Sequence, residues 1–206
     1  MVAPVDGAAT APDTRFTDPR KNSALQNHVA FFDRDGDGII WPSDTFYGMR
    51  EIQFNLFWTI VSVLVIHGGF SYMTWGSWLP DPFFRLKIKH MHRAKHGSDS
   101  ESYTTTGEFD ESRFDNIFNM YSKPPHDKIS FTEGVRMIHG NMNPFDPFGW
   151  SAAVFEWWAT YYLLWPEDGN CRKEDVRAIF DGSIFYKLAN RNQPSYADAL
   201  KGYNGR

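Results

Sequence analysis

The residues best placed to do chemistry are three acids at alternate positions. Asp33-Arg34-Asp35-Gly36-Asp37-Gly38-Ile39-Ile40-Trp41-Pro42-Ser43-Asp44 fits the twelve-residue EF-hand loop position by position. Asp33, Asp35 and Asp37 fall at positions 1, 3 and 5, where carboxylates converge on a hard cation that prefers oxygen. Gly38 stands at position 6, where the chain turns sharply, and Ile39 offers its carbonyl at position 7. Asp44 occupies position 12 in place of the usual Glu. One methylene fewer hinders bidentate binding, which weakens Ca2+ and lets Mg2+ compete. The expected metal ligands are therefore Asp33, Asp35, Asp37, Ile39 and Asp44.

EF-hands commonly work in pairs, so Ile40 at position 8 calls for a sister loop. Residues 122–133, SKPPHDKISFTE, supply Ile129 and Glu133 but no acid at positions 1, 3 or 5. A fainter echo at 164–175 places Gly169 at position 6 and Asp175 at position 12. Both read as degenerate, structural loops. Of the seven histidines, none stands in an HExxH arrangement, and the one HxH pair, His90-Met91-His92, has no third ligand at cage spacing. His67, inside an apolar run, reads as a core residue, and His90, His92 and His126 read as exposed. Cys171 is the single cysteine, which excludes an internal disulfide, a zinc ribbon and an iron–sulfur cluster. A metal here must be held by His or oxygen.

The elements that position these groups are mainly helical. Residues 1–24 read as a flexible N-terminal arm, 25–51 as the EF-hand, 52–84 as an apolar hairpin with a proline turn, 85–190 as a helical C-terminal region with degenerate EF-like loops, and 191–206 as a tail. Ile52 to Pro80 contains no Asp, Glu, Lys or Arg. A straight helix over this stretch is long enough to cross a bilayer. Gly68-Gly69 is expected to break the run, and Pro80-Asp81-Pro82 to end it, which favours a helical hairpin dipping into one leaflet. Basic residues on both flanks give little charge asymmetry to orient a crossing. The alternative is that the stretch is the core helix pair of a soluble domain. The segment RLKIKHMHRAKH, 85–96, reads either as lying on anionic headgroups or as a solvated charged face.

Composition agrees with a folded chain that meets lipid. Of 206 residues, 17% are aromatic, including 8 Trp and 18 Phe, which suits a large apolar cavity or a lipid interface. A net charge of −4 offers no attraction for a polyanion, so nucleic acid is not an expected partner. The N-terminal sequence lacks a basic and then apolar leader, so an intracellular, non-secreted protein is expected.

The chain resembles the caleosin family of plant and fungal peroxygenases, calcium-binding lipid-droplet proteins, from about Leu25 to Phe185. The segments that carry the likeness are LQNHVAFFDRDGDGIIWP, GSWLPDPFF, IKHMHRAKHGSDS, NPFDPFGW and IFDGSIF. One departure concerns the hairpin tip. Family members usually have three prolines there, and only Pro80 and Pro82 stand here. The resemblance implies haem b held by histidine, with His28 and His96 carried over as both cofactor-binding and catalytic residues. It implies transfer of oxygen from fatty-acid or organic hydroperoxides to unsaturated lipids by epoxidation, hydroxylation or sulfoxidation. It further implies support by calcium and a cytosolic-face location on lipid droplets or endoplasmic reticulum membrane, with homo-oligomerisation left open.

If both imidazoles bound the iron, no hydroperoxide could reach it. One is therefore expected as the proximal ligand, and the other either to leave the iron on substrate arrival or to act distally, taking the ROO–H proton and returning it to the departing oxygen. Which is which stays open. The competing function is a non-catalytic, calcium-responsive coat of lipid droplets, in which both histidines only pack.

Overall fold

A computed structural model of the chain describes residues 22–190. Only the last three residues of the expected N-terminal arm are among them, and the expected tail lies outside the described residues. Helix α1 (Ala24–Ala30) opens on a reciprocal cap: the Ser23 hydroxyl accepts from the Gln26 N–H, and the Gln26 side chain accepts from the Ser23 N–H. There follow β1 (Ile39–Ile40), α2 (Pro42–Glu51), α3 (Leu56–Trp75), β2 (Leu86–Lys87) and a 3₁₀ turn (Ile88–Ala94). A second set comprises α4 (Glu111–Tyr121), β3 (Lys128–Ser130), α5 (Phe131–Gly140), α6 (Pro147–Leu164), β4 (Asn170–Arg172), α7 (Lys173–Phe180) and α8 (Ser183–Leu188).

Each set is a pair of helix–loop–helix units joined by a two-stranded antiparallel bridge between their loops. Ile40 faces Leu86 in the first, and Ile129 faces Cys171 in the second. This corrects the expected partnership. Loop 122–133 pairs with 164–175, and loop 33–44 pairs instead with residues 79–90, which carry a single acid, Asp81. Each bridge seeds its own core. The first gathers Phe31, Ile40, Phe54, Leu86 and Ile88, closed by Phe185 and Tyr186 of α8. The second gathers Phe114, Phe118, Ile129, Trp157 and Cys171. Burial, with Asp175 and Asp168 adding, pushes the Cys171 thiol up to about 12, so it is inert as a nucleophile or ligand at neutral pH.

The expected hairpin is corrected too. Helix α3 runs unbroken through Gly68 and Gly69 and ends at Gly76, a left-handed C-cap with φ 75°. A helical glycine costs backbone entropy but removes no hydrogen bond, and here its missing side chain is used: a Cβ on Gly69 would stand 3.2 Å from the Phe148 ring. The helix buries Thr59, Ser62, His67, Ser71 and Thr74, while Leu56, Phe57, Ile60, Leu64 and Tyr72 are exposed. The fully buried side chains are polar, whereas most of the apolar ones face out and only Trp58, Ile66 and Phe70 pack on the first core. All of the inward polar groups but the Ser62 hydroxyl find partners: His67 bridges the Thr45 hydroxyl at 2.8 Å and the Phe84 carbonyl at 2.6 Å, and the Ser71 hydroxyl donates to the Arg85 carbonyl at 2.8 Å. His67 is thus the core residue expected. His90, His92 and His126, expected exposed, are half-buried. In the basic segment, Leu86, Ile88 and Met91 are buried in the first core and none of the three faces outward to meet lipid.

The second half depends on close backbone approach between α5 and α6. A Cβ on Gly134 would lie 1.9 Å from the indole of Trp157, which is itself buried. Gly134→Ala is expected to lower the thermal midpoint by about 3–10 °C through overpacking, measured by circular dichroism. An unchanged midpoint contradicts this packing.

Candidate functional site

Side chains from both cores line one cavity of ≈ 330 Å³. Its polar groups are few and include His28, Lys95, His96, Asp99, Tyr103 and Glu156. A mostly apolar cavity with a few convergent polar groups is the usual form of a small-molecule site.

His28 is presented by α1, and the segment IFDGSIF, 179–185, forms its cradle. The His28 Nδ1 lies 2.6 Å from the Ile179 carbonyl oxygen. A carbonyl only accepts, so Nδ1 carries the proton and Nε2 is left as a bare lone pair. Phe185 meets the imidazole edge-on with ring centroids 5.0 Å apart. Gly182, at φ +78°, makes the approach possible, since a Cβ there would come within 2.7 Å of the His28 Cα. Burial lowers the His28 pKa, opposed by the Ile179 carbonyl, Glu156 and Asp181. The ring is neutral and ready to donate Nε2 to a metal.

His96 is positioned by the other pair of segments. The Ser98 hydroxyl donates to Asp146 Oδ2 at 2.8 Å and accepts from the Asn143 N–H at 3.1 Å. Asp146 in turn accepts from the Gly149 N–H at 2.8 Å, which caps α6. HGSDS and NPFDPFGW are therefore one structural unit. His96 Nε2 stands 3.5 Å from Glu156 Oε1, and its Nδ1 is buried without a hydrogen-bond partner. Burial alone would lower the His96 pKa, but Glu156, aided by Asp99 and Asp146, overcomes it and the value is raised. Burial, with Glu156 and Asp181 adding, lifts Tyr103 well above the usual phenol value, and its hydroxyl donates to the Phe180 carbonyl at 2.6 Å.

Sequence reasoning missed Glu156, although it is the only charged residue in α6. Its signal was a lone carboxylate in an otherwise apolar helix. It is the acid common to His28, His96 and Tyr103.

The loop 33–44 brings some of its expected ligands together. Carboxylate oxygens of Asp33, Asp35 and Asp37 lie within 4.8 Å of one another, an arrangement that could hold a metal ion. Asp33 accepts from the Gly36, Asp37 and Gly38 N–H groups, at 2.8 Å for Gly38. Ile39 lies in β1 at the end of this turn. Asp44 does not join the cluster; its carboxylate accepts from the Trp41 N–H at 2.9 Å, at the start of α2. Burial raises the Asp33 pKa to about 6 against the Gly38 N–H, with Asp37 and Asp35 adding repulsion.

A family model described as caleosin related protein matches residues 20–189. The chain belongs to the caleosin family. It is 42% identical over 166 residues to the peroxygenase of Lilium longiflorum, covering 81% of this chain and 70% of that one. It is 38% identical over 170 residues to probable peroxygenase 4 of Arabidopsis thaliana, covering 82% and 87%. A probable inactive peroxygenase-like protein of Arabidopsis thaliana is 30% identical over 102 residues, about half of each chain. No solved structure matches. These relatives place this caleosin among the peroxygenases, which are oxidoreductases.

Removing the Glu156 carboxylate leaves burial as the main influence on His96. Glu156→Gln is therefore expected to lower the His96 pKa, read from the pH titration of the imidazole resonances of the cofactor-free chain. In the wild type, the stabilisation from this pair is present below the unfolded histidine value near 6.5 and is lost as pH rises through the raised folded value. An unmoved titration sinks the pairing.

Proposed function

We propose that this caleosin is a haem peroxygenase that takes oxygen from lipid or organic hydroperoxides and gives it to unsaturated lipids, with calcium on loop 33–44 and with α3 facing a lipid surface. The observation that carries the reading is the convergence of two histidines, each cradled by a different pair of family segments, on one apolar cavity. The donor set suits haem. His28 has its proton tied to Ile179 and offers a bare Nε2, the cavity walls are apolar, and the orphaned His96 Nδ1 marks a second imidazole not consumed by the fold. Haem b bound there supplies the redox chemistry by which a hydroperoxide is reduced to its alcohol while a lipid is oxidised.

The chain's own part is binding and proton handling. His28 would hold the haem iron through Nε2, since the Ile179 carbonyl orients the ring and makes Nε2 more basic. His96 would be the acid–base group. Glu156 beside it keeps its imidazole able to hold a proton near neutral pH, which suits transfer from ROO–H to the departing RO oxygen. The apolar walls exclude water and accept an acyl chain.

The same reading gives the outward face of α3 its use. Helix α3 is the one described helix long and apolar enough to cross a membrane by length and composition, and its exposed apolar face together with Trp78 and Leu79, 94% and 75% exposed, suits a lipid droplet or endoplasmic reticulum surface. In loop 33–44, Asp33, Asp35, Asp37 and the Ile39 carbonyl would hold Ca2+. With Asp44 turned to Trp41, the absence of a bidentate acid favours weak binding open to Mg2+.

Purified wild type is expected to show a Soret band and a positive pyridine haemochrome assay. His28→Ala is expected to lose both, and His96→Ala to keep the pigment while hydroperoxide-driven oleate oxidation falls about 10²–10⁴-fold. Colourless wild-type protein that still coats droplets leaves only the coat function. A cation on this loop must displace the Asp33 proton, so calcium affinity is expected to fall as pH drops through about 6, measured by calorimetry. A pH-independent affinity between 5 and 7.5, a range chosen about that value, removes Asp33 from the ligands.

A further inference from the structure

The loop opposite 33–44 has almost none of the acids that close a cation loop, yet it is closed. Ile40 and Leu86 face each other across the antiparallel bridge as the same position of two loops, so counted by loop position residues 79–90 correspond to 33–44, with Asp81 equivalent to Asp35, Phe84 to Gly38 and Arg85 to Ile39. The backbones agree: Gly38 and Phe84 are both left-handed, with φ 82° and 53°. A bulky residue resists that conformation, so contacts must hold it. Asp81 is 3% exposed and receives three hydrogen bonds from Arg85: the main-chain N–H at 2.8 Å, Nε at 3.0 Å and a terminal guanidinium nitrogen at 2.8 Å. The guanidinium also lies 4.3 Å from the ring centroid of Trp75, 4.8 Å from Trp41 and 5.2 Å from Phe83. Trp41 belongs to loop 33–44, so one side chain engages both loops.

We propose that Arg85 is a built-in cation, its guanidinium doing in loop 79–90 what a divalent ion does in loop 33–44. A planar fork satisfies a buried carboxylate bidentately, and the aromatic faces stabilise the charge from the other sides. Arg85 is in this sense a positioning residue. It keeps β2 formed, so that β1 folds against a strand that is already in place, and it keeps the 79–90 turn tied to α3 whether or not a cation is present. Cation removal then loosens only the α1 side of the pair, which carries His28. The inference rests on the reading of loop 33–44 as a calcium loop, but its first test does not involve calcium.

In chelator, Arg85→Met is expected to melt about 5–10 °C below the wild type, because a buried carboxylate loses its partner. In calorimetric titration with CaCl2, the same variant is expected to bind Ca2+ about ten-fold more weakly, the loss of a preformed partner strand. Arg85→Lys, which keeps the charge and loses the fork, is expected to fall between. If Arg85→Met does not fold, Asp81→Asn decides, since it keeps the arginine on its aromatic rings and the acceptor for the backbone N–H. An Asp81→Asn or Arg85→Met protein that melts within 1 °C of wild type in chelator, well under the change expected of a lost buried pair, overturns the proposal. So does a Ca2+ affinity within two-fold of wild type, a factor below any measurable coupling. Failure of the wild type to bind Ca2+ would instead overturn the reading of loop 33–44, leaving the chelator result standing.

Discussion

A neutral imidazole has one proton for two nitrogens, and the hydrogen bond that claims it decides what the other nitrogen can do. In this caleosin the Ile179 carbonyl claims the His28 proton from 151 positions away. The bond ties α1 to the last turn of α7, so His28 cannot be oriented until α7 is packed. Gly182 permits the approach, and Phe185 adds the ring contact while it seals the first core. Assembly of the first core and presentation of Nε2 are one event.

The two halves of the molecule need each other for the same reason. The first core supplies His28 and the turn that holds His96, whereas the second supplies α6 with Glu156. Asp146 joins them: it caps α6 and receives the Ser98 hydroxyl two residues beyond His96. A single carboxylate thereby sets both where the α6 helix begins and where His96 stands. Because Glu156 lies three turns along that helix, its distance to His96 is fixed from the N-cap onward.

Much of this was legible in the chain before folding, because its signals were local. The DxDxDG run names its own turn through Asp33 and Gly38, and the three-and-four spacing of Phe114, Ile117 and Phe118 marks the face that α4 buries. What was not legible is pairing. Nothing in SKPPHDKISFTE says whether Ile129 will face Ile40 or Cys171, since all are short apolar residues in two- or three-residue strands and the choice is made by which helices pack. Gly68-Gly69 misleads in a similar way. Propensity counts the entropy of two glycines, but the Phe148 ring resting against Gly69 depends on α6, roughly eighty residues on. Asp44 was assigned by position alone, and the structure sends its carboxylate to the Trp41 N–H, a competing donor that any acid at the start of a helix meets.

Helix α3 shows why composition alone could not choose between core and lipid. Its residues are apolar enough for either, and only their placement decides. A soluble core helix would bury Leu64 and Val65 and expose Ser71 and Thr74; here the order is reversed. The reversal is made tolerable by specific partners, since Thr45 and Phe84 take both nitrogens of His67 and the Arg85 carbonyl takes Ser71. Those same bonds tie α3 to the loop that Arg85 closes. An inward face specified by hydrogen bonds leaves the outward face free of any packing duty within the described residues. Ile66 and Phe70 of this helix, with Phe155 and Ala159 of α6, also line the cavity. The wall of the cavity and the exposed apolar face are thus two sides of the same helices, the arrangement that the proposed action on acyl chains at a lipid surface calls for.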